Sequence, residues 1–354
     1  MQYDYFIVGQ GLSGSLLAHE LLKRNHKVLV YDEFGQPQAS GAAAGIFNPF
    51  TGRKLVKTWL ADTLFPYLMQ YYNSLQAELQ VKLIHEIPMY RPFLTINEQN
   101  EWGTRIFDER YAPYIDSIII SGDSMPQVVN PLGGLMLKQT GYVNIIVLIK
   151  TIRDLLIQGN ALASQRFDPA KLEILNNQVY YGDHQAKKLI FCEGPWVQDN
   201  PFFDWLPMRP VKGELLEIEL EQPLKNIINR GVFILPYQGK SCKVGATFDN
   251  QNVDWETTEA AKLNLQQRLE GLLQMPYTVK SQLAGVRPAT ADRRPLIGLH
   301  PKFEPLGVFN GLGTKGVSLA PYLIRQFCEF LDRGEPLIPQ VSINRYFSLY
   351  YNKF

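Results

Sequence analysis

Three glycines near the amino terminus, Gly9, Gly11 and Gly14, are spaced as GxGxxG, and each position has a separate physical use. The first permits a tight turn, the second leaves bare backbone for a pyrophosphate, and the third lets a helix pack closely on a strand. Leu12 and Ser13 lie between them, so their backbone N–H groups would open a helix whose positive end suits a phosphate. Asp32 stands 23 residues beyond Gly9, at the end of the next apolar run, where a carboxylate can accept from a ribose hydroxyl. Glu33 adjoins it and competes for that role. The chemistry indicated is dinucleotide binding.

The surrounding elements agree with this use. DYFIV reads as a strand, Leu12, Leu16, Leu17, Leu21 and Leu22 as the inner face of a helix, and KVLVYD as a second strand, which together make one βαβ unit. A small-residue loop, Ala39 to Gly45, follows, then NPFTGRK and an apolar helix from about Thr58 to Leu79. Gly141 to Leu156 reads as a helix with Asn144 as a possible cap. VYYGDHQAKKLIFCEGPW reads as two strands about a Gly-Asp turn, ending in a glycine bend. Two alternating stretches, VKGELLEIEL and GVFILPYQGKSCKVGATF, precede a helix from Thr257 to Leu273 and predict an antiparallel sheet with one covering helix. Leu306 to Asn310, GLGTKG and Val317 to Phe330 then read strand, turn, helix. The aromatic tail RYFSLYYNKF is either an interface or a docked terminus.

The expected architecture is α/β. A Rossmann-type cofactor domain is built from 1–80, 141–210 and 285–354, and a discontinuous α+β substrate domain from 81–140 and 211–284. The 354 residues leave room for both. Thirty-five Lys and Arg against 34 Asp and Glu give a net charge of +1, which argues against a dominant basic field for nucleic acid or an anionic membrane. Cys192, Cys242 and Cys328 are far apart and form no CxxC pair, so no disulfide framework or zinc cage is signalled, and a cytoplasmic setting is expected. No charge-free 18-residue run signals a membrane span. His19, His26, His85, His184 and His300 fall in no motif, which weakens any hydrolase or metalloenzyme reading.

Four further segments, ASGAAAG at 39–45, FCEGPW at 191–196, GVRPATADRRPLIG at 285–298 and GLGTKGVSLAP at 311–321, complete a pattern spanning nearly the whole chain. In order and spacing it resembles the D-amino-acid oxidase family of flavoproteins, which includes glycine and sarcosine oxidases and the oxidase half of a tRNA-uridine modifying enzyme. The resemblance implies FAD as cofactor. It is expected to be non-covalent, because covalent members use a cysteine in the loop that corresponds to GLGTKG. It also implies oxidation of the C–N bond of a small amine or amino acid, with electrons passed to dioxygen or another acceptor.

By the same resemblance Ser40, Gly41 and Gly45 approach the flavin, the FCEGPW strand end with Cys192 and Gly194 approaches the adenine and pyrophosphate side, and Trp196 would pack near the flavin. Cys192 also reads as a small buried residue, and Trp196 as core. Gly311 belongs to the same cofactor-binding loop, in which Gly313, Thr314, Lys315 and Gly316 would present backbone N–H groups at a helix start to the flavin's N1 and O2 edge, with Lys315 adding a full charge. Arg287 aligns with the arginine that grips the substrate carboxylate, a geometry suited to its fork. Asp292, Arg293 and Arg294 read as a turn and rim charges. Phe233 stands where several relatives have a substrate-facing tyrosine, and Tyr237 is a speculative substitute. Oxidation of a modified tRNA uridine side chain, and a nicotinamide dehydrogenase suggested by the fingerprint alone, remain as alternatives.

Overall fold

The computed structural model describes residues 1–52, 55–120 and 125–353, so Arg53 and Lys54 of NPFTGRK and Phe354 of the tail lie outside the described residues. The chain forms two compact units: Met1–Ala43, Ile145–Val211 and Val286–Phe354 in the first, Ala44–Asn144 and Lys212–Gly285 in the second. Residues 44–80, read above with the first domain, pack with the second unit.

In the first unit β1 (Gln2–Val8), α1 (Leu12–Lys23) and β2 (Val28–Tyr31) make the expected crossover, with β1 and β2 parallel. Leu16, Leu17 and Leu21 of α1 are fully buried, each contributing about 1.5–3 kcal/mol. Leu22 lies outside the apolar stripe and is exposed, a correction to its inward assignment. The stretch Ala39–Ala42 is one turn of helix, α2, in place of an open loop. α3 (Ile145–Gln158) begins later than predicted, because Gly141–Val143 is a strand of the second unit, paired with Ile46–Phe47 and Ile84–Glu86.

β3 (His184–Phe191) runs parallel to β1, pairing Val8 with Phe191, and folds back on Gln178–Tyr181 across the Gly-Asp turn. β4 (Leu296–Leu299) is antiparallel to β5 (Leu306–Asn310), and β5 is parallel to β3. The helix α4 (Gly316–Arg333) follows. Phe6, Leu29, Leu189, Phe191, Leu306 and Val308 share the core beneath this sheet. Because β1, β3 and β5 are parallel, the turns that begin at Gly9, Cys192 and Gly311 emerge at one end of the sheet, the end at which such folds bind ligands.

The described part of the tail packs on the first unit through Arg345 and Tyr350. Tyr350 is buried against Trp205 and His300, and Arg345 donates from Nε to Asp292 Oδ2 at 3.0 Å and from Nη2 to the Pro295 carbonyl at 2.9 Å. Asp292 also accepts the Arg294 N–H at 3.0 Å, so it ties its own turn as well as the tail.

Among the described residues the second unit carries an eight-stranded sheet, mostly antiparallel, with Ile227–Arg230 and Met89–Pro92 as a parallel pair. The helix Glu259–Glu270 covers one face through Leu265 and Leu269, capped by the Thr258 hydroxyl, which accepts the Ala261 N–H. Its edge strand, Tyr277–Arg287, carries the chain back into the first unit. No helix among the described residues is long and apolar enough to cross a membrane.

Candidate active site

Two of the three fingerprint glycines are required by the protein's own backbone. Gly9 has φ +96°, and a Cβ there would lie 2.7 Å from the Cys192 carbonyl oxygen. A Cβ on Gly14 would meet the Gly9 carbonyl oxygen at 1.8 Å, so the backbone of the turn would have to shift to admit one. Gly11 differs, since its Cβ would meet only the Ser40 hydroxyl at 3.4 Å, an ordinary contact. The space above Gly11 is therefore kept open by the sequence without any need of the fold.

The end of α1 fits an anionic group. Gly11 provides no side-chain cap and the first turn holds no acidic residue, so the positive end of the helix has no carboxylate on it. The Leu12 N–H donates to Ser40 Oγ at 3.1 Å, which joins the ASG turn to the glycine turn. Asp32 accepts the Gln10 N–H on Oδ2 at 2.7 Å. Burial raises its pKa against the pull of that bond and of Arg153. Its carboxylate thus braces the glycine turn, while Glu33 is exposed.

Gln10, which pattern reading passes over, is fully buried: its side chain donates to Ser15 Oγ at 2.9 Å and the Ile149 carbonyl at 3.1 Å, and accepts from Arg153 Nε at 2.7 Å. Only an x position in the fingerprint marks it.

The other expected contacts divide. Ser13 sits in the first turn of α1, and Gly41 has open space around it. Gly45 belongs to the second unit, where φ +71° and a would-be Cβ 2.1 Å from the Val143 carbonyl oxygen account for the glycine through strand packing. Cys192 is buried, and burial pushes its thiol pKa far up, so it is a packing residue. Trp196 corrects the core reading, since it is 47% exposed in the short helix after β3. Phe233 and Tyr237 lie in the second unit, where the Tyr237 carbonyl accepts from the Tyr142 hydroxyl at 3.2 Å.

The two distant motifs come together. Arg287 ends its strand, and the Pro288 carbonyl beside it accepts the Gly313 N–H at 3.1 Å, so the GVRP and GLGTKG segments are laced at the backbone. With the Lys315 N–H given to the Leu312 carbonyl at 3.1 Å, two of the N–H groups expected to face the flavin are spent inside the protein, a correction to that expectation. Gly311 has φ +75°, with Thr290 Cγ2 2.7 Å from where a Cβ would be, and a Cβ on Gly316 would meet Leu12 at 3.0 Å. The start of α4 is thereby packed against the start of α1. Lys315 is the N-cap residue of α4, whose first turn also lacks an acid, and Thr314 is exposed. Burial lowers the Lys315 ammonium to about 8 and lowers the Arg287 guanidinium as well. Both are cations held in costly surroundings on neighbouring segments of one unit.

Residues 4–329 match the family described as FAD dependent oxidoreductase. The glycine oxidase of Bacillus subtilis is 31% identical over 353 residues, with 90% of each chain covered. A bifunctional protein of tRNA 5-methylaminomethyl-2-thiouridine biosynthesis from Legionella pneumophila is 27% identical over 325 residues. That match takes in 82% of this chain and only 45% of that protein's length. Among solved structures, glycine oxidase from Geobacillus kaustophilus has the same fold, with a TM-score of 0.80 at 22% identity over 98% of each chain. Iminodiacetate oxidase from Chelativorans sp. gives a TM-score of 0.79 at 21% identity. With the glycine turn, the open space at Gly11 and the two laced motifs in one unit, these matches establish that the chain belongs to the DAO family of FAD-dependent oxidoreductases.

Proposed function

We propose that this oxidoreductase oxidises the C–N bond of a small amino acid or amine, with the carboxylate of an amino-acid substrate held by Arg287. The observation that carries the reading is the Gly313 to Pro288 backbone bond, which brings the Arg287 segment and the Lys315 loop together beside the helix that receives the phosphates. FAD, when bound, supplies the hydride acceptor.

The chain's own residues do the rest. Gly9, Gly11, Leu12, Ser13 and Gly14 seat the pyrophosphate, and Asp32 or Glu33 receives the ribose. The Lys315 ammonium and the positive end of α4 stabilise negative charge on the flavin's pyrimidine edge. The Arg287 fork fixes the substrate carboxylate in two-point contact, which sets where the substrate Cα–H points. A primary amino acid loses a hydride and a proton to become an imino acid, which water converts to an oxo acid and ammonia, and an amine without a carboxylate gives an aldehyde or ketone in the same way. Dioxygen, or another acceptor, removes the two electrons.

The family assignment replaces the nicotinamide alternative. Similarity to the tRNA-biosynthesis protein supports a second reading, in which the amine is borne on a modified uridine. The test is anaerobic mixing of the purified holoprotein with a panel of small amino acids, secondary amines and undermodified tRNA. Bleaching of the flavin by a free amino acid supports the first reading, and bleaching by tRNA alone supports the second.

The cofactor is held without a covalent bond in this reading. Gly311–Gly316 contains no cysteine, and Cys328 is buried within α4 with its thiol pKa pushed far up. Acid precipitation of the holoprotein should leave the yellow colour in the supernatant, and a yellow pellet would contradict this.

A further inference from the structure

Asn310 is the last residue of β5, and its side chain is committed on both sides. Its Nδ2 donates to the Gly194 carbonyl at 2.8 Å and its Oδ1 accepts the Gly311 N–H at 2.7 Å, with the residue only 2% exposed. Gly194 and Gly311 both have positive φ, +59° and +75°; Gly311 opens the turn that follows β5, and Gly194 lies in the turn that follows the parallel β3. Turns of this shape direct backbone groups away from the sheet ladder, and a buried amide is one of the few side chains able to satisfy a carbonyl and an N–H at once.

The loop beyond is pinned at successive points: Gly311 N–H on Asn310, Gly313 N–H on the Pro288 carbonyl, and Lys315 N–H on the Leu312 carbonyl. Asn310 joins the head of this loop at Gly311 to the Gly194 turn, so the Gly194 link fixes where the loop that leads to Lys315 starts.

We infer that Asn310 is a positioning residue which locks the FCEGPW and GLGTKG turns together and thereby sets the charge that Lys315 presents to the flavin. This rests on the Lys315 role proposed above. Leucine has about the same size and would leave a buried N–H and carbonyl without partners. Aspartate would keep the acceptor for Gly311 and set an oxygen against the Gly194 carbonyl. Asn310→Asp thus removes the Gly194 link while adding an ionisable group, and Asn310→Ser, measured beside it, removes the link without adding charge.

The experiment uses sulfite, which adds to flavin N5 and leaves negative charge on the ring, so its affinity reports the positive charge nearby. Sulfite and FAD dissociation constants and melting temperature are measured for wild type, Asn310→Asp, Asn310→Ser, Asn310→Leu, Lys315→Met and the Asn310→Asp/Lys315→Met pair. Lys315→Met should weaken sulfite binding about tenfold or more, the scale of a lost charged contact, and Asn310→Asp and Asn310→Ser should do nearly the same. In the double variant the losses should not add, because Asn310 acts through Lys315.

Lowered melting temperature with wild-type sulfite affinity in the Asn310 variants would make the residue merely structural and overturn the inference. Fully additive losses would overturn it too. Wild-type sulfite affinity in Lys315→Met would instead bring down the Lys315 role and this inference with it. If the Asp variant does not fold, Asn310→Ser is judged by the same outcomes.

Discussion

Gly11→Val should yield a folded, colourless protein. The fold does not demand a glycine there: the backbone is extended, with φ −77° and ψ −162°, and a Cβ would meet only Ser40 Oγ at 3.4 Å. A branched side chain would stand in the space above the α1 N-terminus that the pyrophosphate needs. The variant should therefore purify without flavin, bind no added FAD in titration, and melt close to the wild-type apoprotein. Gly14→Ala makes the contrast. Its methyl would sit 1.8 Å from the Gly9 carbonyl oxygen, so the turn itself must shift, at a cost on the order of 4 kcal/mol or more. Stoichiometric FAD in Gly11→Val would show that the phosphates bind elsewhere.

Arg287→Ala should lower kcat/KM for an amino acid by some tens to thousands. Truncating one partner of a buried hydrogen-bonded ion pair typically costs about 2–5 kcal/mol, much of it from leaving the other charge stranded. Burial already disfavours the Arg287 charge, as its lowered pKa indicates, and a carboxylate brought to it offsets that penalty. Arg287→Lys keeps the charge and loses the fork, so it should chiefly raise KM, whereas the alanine variant should also lower kcat by loosening the alignment of Cα–H. Amines without a carboxylate should be indifferent to both changes. Equal losses for an amino acid and its descarboxy analogue, at equal FAD content, would assign Arg287 to the fold or the cofactor instead of the substrate.

Much of the first unit was legible because it rests on local signals. The glycine spacing, the leucine stripe of α1 and the apolar runs of β1 and β2 each specify their own element, and the structure places them within a residue or two. What depends on distant pairing was not legible. Gly141 to Val143 looked like the first turn of a helix, yet Gly141 has φ +156° and pairs with Glu86 and Phe47, so tertiary hydrogen bonds overrode the local pattern. Gly45 looked like a cofactor contact, and its glycine is accounted for by the Val143 carbonyl, a neighbour nearly a hundred residues away. Asn310 gave no sign at all, since its role exists only once β3 and β5 lie side by side. Trp196 was read as core on residue type, which says how often a tryptophan is buried and nothing about the short helix that carries this one outward.

The most direct test of the account is a single anaerobic turnover of the holoprotein with a small amino acid and with the same compound deuterated at Cα. The flavin should bleach, deuterium should slow the bleaching, and one oxo acid should be recovered for each flavin reduced. A flavin that dithionite bleaches but that stays yellow with every amino acid and amine offered, or that bleaches with no oxo acid formed, would contradict it.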